Sequence, residues 1–269
     1  MRPLRILSDI HLDSNPDFKS DSYYSDKESI RIIAGDIGPF ETALKFLKDT
    51  ADDFYATVLV LGNHDYWKQR LDTIHLKYKN AISDNGIHNV HLLENSSVVL
   101  DMYKFIGATL WSSYIGAQPY DKMVIRDKMT DFKRIRVGPE YHKIRLLDLA
   151  AIHNTSRQYI ADELSRSNGL YTVVVTHHCP VFSLMPSDYQ RDDCAYAYGS
   201  PMEYFILEHK PDVWVHGHLH LPVDAVVGAT RIICNPYGHP KHELNNVFKQ
   251  EPFKLGFPKL KQRGVCYVA

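Results

Sequence analysis

The chain contains five short, mostly apolar runs rich in β-branched residues, at residues 4–7, 30–34, 58–61, 171–175 and 213–215. Runs of this length and composition predict β-strands. Shorter strands are predicted at 90–93, 97–100, 104–106 and 109–110. Spaced apolar residues predict helices at 41–51, 68–80, 141–168 and 202–209. The third of these has an apolar face made of Leu146, Leu149, Ile152, Ile160 and Leu164. The alternation of strands and helices favours a layered α/β fold.

A polar motif follows or ends each of the five runs. In chain order the motifs are Asp9-Ile-His11, Gly35-Asp36, Gly62-Asn63-His64-Asp65, Thr176-His177-His178 and Gly217-His218-Leu219-His220. Strand ends are the usual position of an active site in an α/β sheet. Any one of these motifs alone is more often a plain turn or a solvated histidine. The five in order, each at a strand end, predict a single site.

The side chains of these motifs are typical ligands for divalent metals. They supply seven oxygen and nitrogen ligands, enough for two ions that share one carboxylate. Carboxylate, amide carbonyl and imidazole suit Mn, Fe, Ni or Zn, whereas a soft thiolate site would use cysteine. No cysteine occupies a proposed ligand position. The sequence therefore predicts a dinuclear centre of hard or borderline metals.

Spacing within the motifs suggests how their side chains are directed. In an extended segment, alternate residues share a face, so Asp9 and His11 should point the same way, as should His218 and His220. Asn63 and His64 are adjacent and should point apart. The Asn63 carbonyl is then free to reach a metal while the His64 imidazole reaches a substrate.

The five motifs together resemble the calcineurin-like metallophosphoesterase superfamily. The resemblance spans residues 9–220 and implies a four-layer α/β/β/α sandwich of two mixed β-sheets flanked by helices. It resembles the bacterial type, because Ile37-Gly38-Pro39 follows Asp36 and Asp65 follows His64. The protein serine/threonine phosphatases instead have a second Asp and an Arg after Gly-Asp, and a Glu after Asn-His.

This resemblance also implies roles for the motif residues. One metal would be held by Asp9, His11, Asp36 and His220. The other would be held by Asp36, Asn63, His177 and His218, so Asp36 would bridge the pair and His64 would be the catalytic histidine. The implied activity is hydrolysis of a phosphomonoester or phosphodiester by a metal-activated hydroxide. Mn is the favoured metal, with Fe, Ni or Zn as alternatives.

Several neighbouring residues have two interpretations. His178 fits a pocket wall better than a metal ligand, and Asp65 is expected to orient its turn or the neighbouring imidazole. Tyr66 and Trp67 could stack on a substrate, but core packing is the favoured role for both. The loop at 180–200 follows His177 and should lie near the pocket mouth, whereas His239 and His242 have no assigned role.

Residues 117–140 contain Pro119, Gly138 and Pro139 and show no clean periodicity, so we expect a flap beside the metals. Between residues 121 and 145, eight Lys or Arg face four Asp or Glu. Lys133, Arg134 or Arg136 could contact a substrate phosphate. An ordinary solvated charged face explains the same residues equally well.

Composition narrows the remaining choices. The 269 residues are 44% hydrophobic, which is compatible with one large domain over 1–269. Four scattered cysteines, no signal-peptide core and no membrane-spanning run lead us to expect a cytoplasmic protein. The net charge of -1 and the pI of about 6.9 favour a small phosphoester over nucleic acid as the substrate. A nuclease of the same superfamily and a non-enzymatic metal-binding module remain the alternatives.

Overall fold

Two β-sheets form the centre of the molecule, in a computed structural model that describes residues 1–167, 169–240, 248–249 and 251–253. The strands are β1 (Leu4–Leu7), β2 (Ile30–Ala34), β3 (Ala56–Val60), β4 (Val90–Leu92), β5 (Ser96–Leu100), β6 (Tyr103–Ala108), β7 (Arg136–Val137), β8 (His142–Lys143), β9 (Tyr171–Thr176), β10 (Val213–His216), β11 (Val223–Val227) and β12 (Thr230–Cys234). His242 and Cys266 lie outside the described residues.

The two sheets differ in strand direction. The first has the order β1-β2-β3-β4, and each of its described pairs is parallel. The second has the order β11-β12-β10-β9-β6-β5 and is mixed, because β11 and β5 run antiparallel at its two edges. Among the named strands, the first sheet is therefore parallel and the second is mixed. Strand β7 pairs with β8 in a separate hairpin.

Helices cover the outer faces of both sheets. They are α1 (Phe40–Thr50), α2 (Ile74–Asp84), α3 (Pro119–Lys128), α4 (Asp131–Arg134), α5 (Leu146–Ser165), α6 (Ser187–Gln190), α7 (Ala195–Tyr198) and α8 (Glu203–His209). Apolar residues of α1 and α2 pack on the first sheet, and those of α5 and α8 pack on the second. Ile32, Val58, Phe105 and Val175 belong to the core between the sheets. The predicted four-layer sandwich is confirmed.

Two predicted helices begin later than expected. The helix expected from residue 68 starts at Ile74, because Lys68 has φ +63° and its N–H donates to the Arg134 carbonyl. The helix expected from residue 141 starts at Leu146, because residues 142–143 pair with 136–137. The strand expected at 109–110 is absent there, since β6 ends at Ala108 and Leu110 has φ +70°.

The segment expected to be an irregular flap, 117–140, contains α3, α4 and β7. Pro119 starts α3, and the Asp121 carboxylate accepts the Gln118 N–H in a capping arrangement. Val124 and Ile125 are the buried residues of α3, too few to give a clear helical period. Ile135 is fully buried, which fastens the end of the segment to the core.

Two further findings bear on the sequence-based expectations. Cys179, Cys194 and Cys234 are free thiols, each buried in the protein. Among the helices in the described ranges, none has both the length and the apolar character needed to cross a bilayer.

Candidate metal centre

The five motifs converge at the carboxyl ends of strands from both sheets. Asp9, Asp36 and Asn63 follow β1, β2 and β3 in the first sheet, whereas His177 and His218 follow β9 and β10 in the second. The His177 Nδ1 atom lies 2.8 Å from the Ala34 carbonyl oxygen and so bonds across the two sheets. The site therefore lies where the carboxyl edges of the two sheets meet.

A first group of ligand atoms comes from Asp9, His11, Asp36 and His220, all within 4.8 Å of one another. The two imidazole Nε2 atoms of His11 and His220 are 3.0 Å apart. His220 Nε2 lies 3.5 Å from Asp9 Oδ1, and His11 Nε2 lies 3.7 Å from Asp36 Oδ2. Burial raises the pKa of Asp9, but a hydrogen bond and the charge of His220 outweigh it, so the net shift is downward and Asp9 is a carboxylate.

A second group comes from Asp36, His177 and His218, whose ligand atoms also lie within 4.8 Å of one another. Asn63 joins this group, because its Oδ1 is 3.0 Å from His177 Nε2. His218 is neutral, since burial lowers its pKa to about 3. Asp36 thus belongs to both groups.

The two oxygens of the Asp36 carboxylate have different surroundings. Its Oδ1 accepts the His64 backbone N–H at 2.9 Å. Its Oδ2 lies 3.5 Å from His177 Nε2 and 3.7 Å from His11 Nε2, between the two groups. This oxygen is positioned to be shared by two cations.

The donor set fits a cation by its own chemistry. Within the described part of the chain, the buried atoms Asp36 Oδ2 and His218 Nε2 have no hydrogen-bond partner. His177 donates its Nδ1 proton to Ala34, so its Nε2 faces the Asn63 and Asp36 oxygens. Burial lowers the pKa of His177, but the Asp36 carboxylate reverses this and raises it to about 9. A proton or a metal ion is therefore favoured between these atoms.

Left-handed backbone, rather than strand alternation, directs the ligands. Asp9, His11 and Asp36 have φ of +53°, +48° and +56°, and His218 and His220 have φ of +71° and +54°. Asp9 and His11 do meet in one group, as expected. His218 and His220 contribute to the two groups that share Asp36, and both have left-handed φ, so they do not lie in the extended segment that period-two alternation requires.

Asp65 ties the loops together. Its carboxylate accepts the backbone N–H groups of Gly62, Asp36 and Gly38 at 2.8, 2.9 and 3.1 Å. The expectation that Asp65 orients its turn is confirmed. Three N–H donors on one carboxylate also fix the position of the loop that carries Asp36.

His64 lies beside the first group without belonging to it. Its ring centroid is 4.6 Å from that of His11, and its other neighbour is the stacked Trp67 indole at 3.6 Å. His178 is buried between Trp111 and His218, with centroid distances of 5.1 and 4.4 Å, as a wall residue would be.

The candidate substrate contacts occupy very different positions. The Arg134 guanidinium is exposed and lies 4.8 Å from the Trp67 ring centroid. Arg136 instead donates to the Lys133 and Ile135 carbonyls, so its guanidinium is hydrogen-bonded within its own segment of the chain. Tyr66 is 1% exposed and bonds to Thr109, which fits core packing and leaves its ring no access to a substrate.

Three further residues lie near the centre, and one of them belongs to the loop expected at the pocket mouth. Asp131 accepts hydrogen bonds from the Asn63 and Trp67 side chains. The His239 ring centroid lies 5.2 Å from that of His11, and the Tyr198 ring centroid lies 6.1 Å from that of His218. Tyr198 comes from the 180–200 loop, which therefore does reach the site. Asp131 and His239 are brought in by tertiary contacts that no local pattern records.

The chain is similar to a known protein family and to a viral protein. The sequence profile of the calcineurin-like phosphoesterases matches residues 3–222. A protein named "Uncharacterized protein L509" from Acanthamoeba polyphaga mimivirus is 28% identical over 277 residues, covering 91% of this chain and 94% of that protein.

Solved bacterial structures share the fold. Phosphopantetheinyl hydrolase (PptH) from Mycobacterium tuberculosis has a TM-score of 0.71 at 19% identity, over 89% of this chain and 90% of that one. The protein TT1561 of Thermus thermophilus has a TM-score of 0.50 at 12% identity, over 87% and 89% of the two chains.

The close approach at Gly62 gives a testable prediction. A Cβ on this residue would lie 2.1 Å from Asp36 Oδ1 and 2.6 Å from His177 Cε1. Gly62→Ala must therefore displace Asp36, and we expect it to weaken metal binding by at least about tenfold. Calorimetric titration of Mn²⁺ into metal-free protein measures this change.

Gly169→Ala is the matched control. Gly169 has φ +76°, but no described atom lies within 4 Å of an added Cβ. The control should lower stability by about 1 kcal/mol through backbone strain and leave metal affinity unchanged. Normal affinity in Gly62→Ala would contradict the packing described for Asp36.

Proposed function

The chain belongs to the calcineurin-like phosphoesterase family, a family of metal-dependent hydrolases, and we propose that it hydrolyses a small phosphomonoester or phosphodiester at a dinuclear metal centre. The observation that carries the proposal is the pair of ligand groups that share Asp36, with His64 beside them. A complete set of ligands favours an enzyme over a non-enzymatic binding module of the same fold.

The proposed ligands follow the two groups. Asp9, His11, Asp36 and His220 would hold one metal. Asp36, Asn63, His177 and His218 would hold the other. Mn is the favoured metal, and Fe, Ni and Zn suit the same nitrogen and oxygen donors.

When bound, two divalent ions would polarise the phosphoryl group and supply hydroxide at neutral pH by lowering the pKa of water. Asp9 and Asp36 return two negative charges, so the loaded site keeps a net positive charge that attracts a phosphate. The nucleophile is then water rather than a side chain.

His64 is proposed to act on the leaving group. Burial lowers the pKa of His64 to about 3, so the imidazole is neutral near pH 7 before substrate binds. A neutral imidazole still carries one N–H, which can donate to the leaving oxygen or to an equatorial oxygen of the phosphoryl group. An arriving phosphate dianion would also favour protonation of the ring.

The charge distribution favours a small substrate. A polymer binder would present a basic stripe, whereas this chain has a net charge of -1. Arg134, exposed beside Trp67, is the cation we propose to contact the substrate. His178 is proposed as a pocket wall.

Removal of the His64 imidazole provides a test of its role. Because general-acid or hydrogen-bond assistance is worth about 10²- to 10⁴-fold, His64→Ala should reduce kcat on an alkyl phosphate by that order. The loss should be smaller for a nitrophenyl ester, whose leaving group needs little assistance. Metal content, measured by elemental analysis, should stay normal.

The exposed His88 offers a matched control, and His88→Ala should leave kcat unchanged. A loss of metal in His64→Ala, with residual activity in proportion to occupancy, would make His64 a ligand and contradict the assigned role.

The substrate class is tested by a side-by-side assay with added Mn²⁺. The panel comprises nitrophenyl phosphate, bis-nitrophenyl phosphate, cyclic nucleotides, nucleoside monophosphates, glycerophosphodiesters and single- or double-stranded DNA. We expect turnover on a small ester, with little change in KM between about 50 and 200 mM salt. DNA affinity that falls about 10³- to 10⁵-fold over that range, with preferential cleavage, would favour the nuclease. Two bound metals without any turnover would favour the binding module.

A further inference from the structure

One oxygen of Asp131 receives two hydrogen bonds from residues of the centre. Asp131 Oδ1 accepts Asn63 Nδ2 at 3.0 Å and Trp67 Nε1 at 2.7 Å. The side chain is buried, with 4% of its surface exposed. Two hydrogen bonds to one buried acceptor oxygen hold both donor groups in place, because breaking either would leave a polar group unpaired.

The first bond decides which way the Asn63 amide faces. With Nδ2 directed to Asp131, the opposite atom, Oδ1, lies 3.0 Å from His177 Nε2 in the second ligand group. A flipped amide would direct its NH₂ toward the metal position, and an NH₂ group cannot coordinate a cation. Asp131 therefore holds the Asn63 oxygen in the ligand orientation.

The second bond holds the indole on which His64 rests. Trp67 stacks on His64 with a centroid distance of 3.6 Å and an interplanar angle of 27°. With its N–H bound to Asp131, the indole cannot rotate away without leaving that donor unpaired. The orientation of His64 is thus linked to Asp131 through Trp67.

Backbone bonds keep Asp131 in place relative to both donors. Asp131 begins α4, and the chain after it runs beside the chain after Trp67. Lys68 N–H donates to Arg134 O at 3.0 Å, and Leu71 N–H donates to Arg136 O at 2.8 Å. Arg136 N–H donates back to Gln69 O at 3.1 Å. This part of the expected flap is therefore fastened to the segment that carries the catalytic motif.

We propose that Asp131 is a positioning residue that couples the two halves of the centre, setting the Asn63 oxygen toward the second metal and, through Trp67, the His64 ring toward the leaving group. The effect of Asp131 on His64 rests on the function proposed above. The effect of Asp131 on Asn63 is independent of that function, because it concerns metal binding alone.

Two substitutions separate hydrogen bonding from charge. Asp131→Asn removes the charge but keeps an oxygen that can accept both N–H groups. Asp131→Leu removes the charge and both acceptors at similar volume. We expect Asp131→Leu to weaken binding of the second Mn²⁺ by about 10- to 100-fold in calorimetry, with the first ion unchanged. Asp131→Asn should stay within about threefold of the parent protein, and circular dichroism verifies folding of both.

Trp67 variants isolate the effect on His64. Trp67→Leu should lower kcat on an alkyl phosphate by about tenfold, less than removal of His64 itself, while both metals bind normally. The loss should shrink on a nitrophenyl ester, and Trp67→Phe, which can stack on His64 but cannot donate to Asp131, should recover only part of it. If Trp67 had a purely structural role, Trp67→Leu would lower kcat on both substrates by the same factor.

Asp127→Leu is the matched control, because Asp127 is exposed at the end of α3 and pairs with Arg126. It should change neither metal binding nor kcat. Normal binding of both metals in Asp131→Leu, or equal losses in Asp131→Asn and Asp131→Leu, would overturn the proposal. If the parent protein hydrolyses no phosphoester, the proposed function fails, and so does the proposed effect of Asp131 on His64. Calorimetry still tests the proposed effect of Asp131 on Asn63 and metal binding.

Discussion

The candidate site brings lone pairs of carboxylate, amide and imidazole groups close together in a buried space, and the rest of the structure holds these groups in place. His11 and His220 bring their Nε2 atoms to 3.0 Å, and Asp36 Oδ2 lies within 3.7 Å of two imidazoles. Without a cation, such a set is unfavourable, because acceptors repel and burial denies them water. The pair of divalent ions proposed for this site would relieve the repulsion around the Asp36 oxygen that both groups share.

The fold supports this arrangement through strand ends and strained loops. Because β1, β2 and β3 are parallel, the residues that follow them lie at the same carboxyl edge of the first sheet. The residues that follow β9 and β10 lie at the adjoining edge of the facing sheet. The loops then turn through left-handed backbone at five ligand residues, a conformation that costs roughly 1–2 kcal/mol per non-glycine residue. Asp65 offsets part of this strain, since its carboxylate accepts the backbone N–H groups of Gly62, Asp36 and Gly38. Asp131 fixes the Asn63 side chain through one hydrogen bond.

Local sequence predicts the strands and the motif positions well, because both depend on contiguous residues. It fails where long-range contacts decide. The helix expected at 68–80 begins only at Ile74, because Lys68 and Leu71 bond to residues 134 and 136. The extended backbone assumed for His218 and His220 is also not found, because both residues have left-handed φ. Asp131 lies 68 residues from Asn63 in the chain and within a segment without clear periodicity, so no pattern indicates its role.

The shared position of Asp36 is tested most directly by anomalous diffraction from crystals grown with Mn²⁺. We expect two anomalous peaks per chain, both next to the Asp36 carboxylate, one on the side of His11 and one on the side of His177. In Asp36→Asn crystals, both peaks should weaken together. A single peak, or two peaks of which only one weakens in the variant, would contradict a shared role for Asp36.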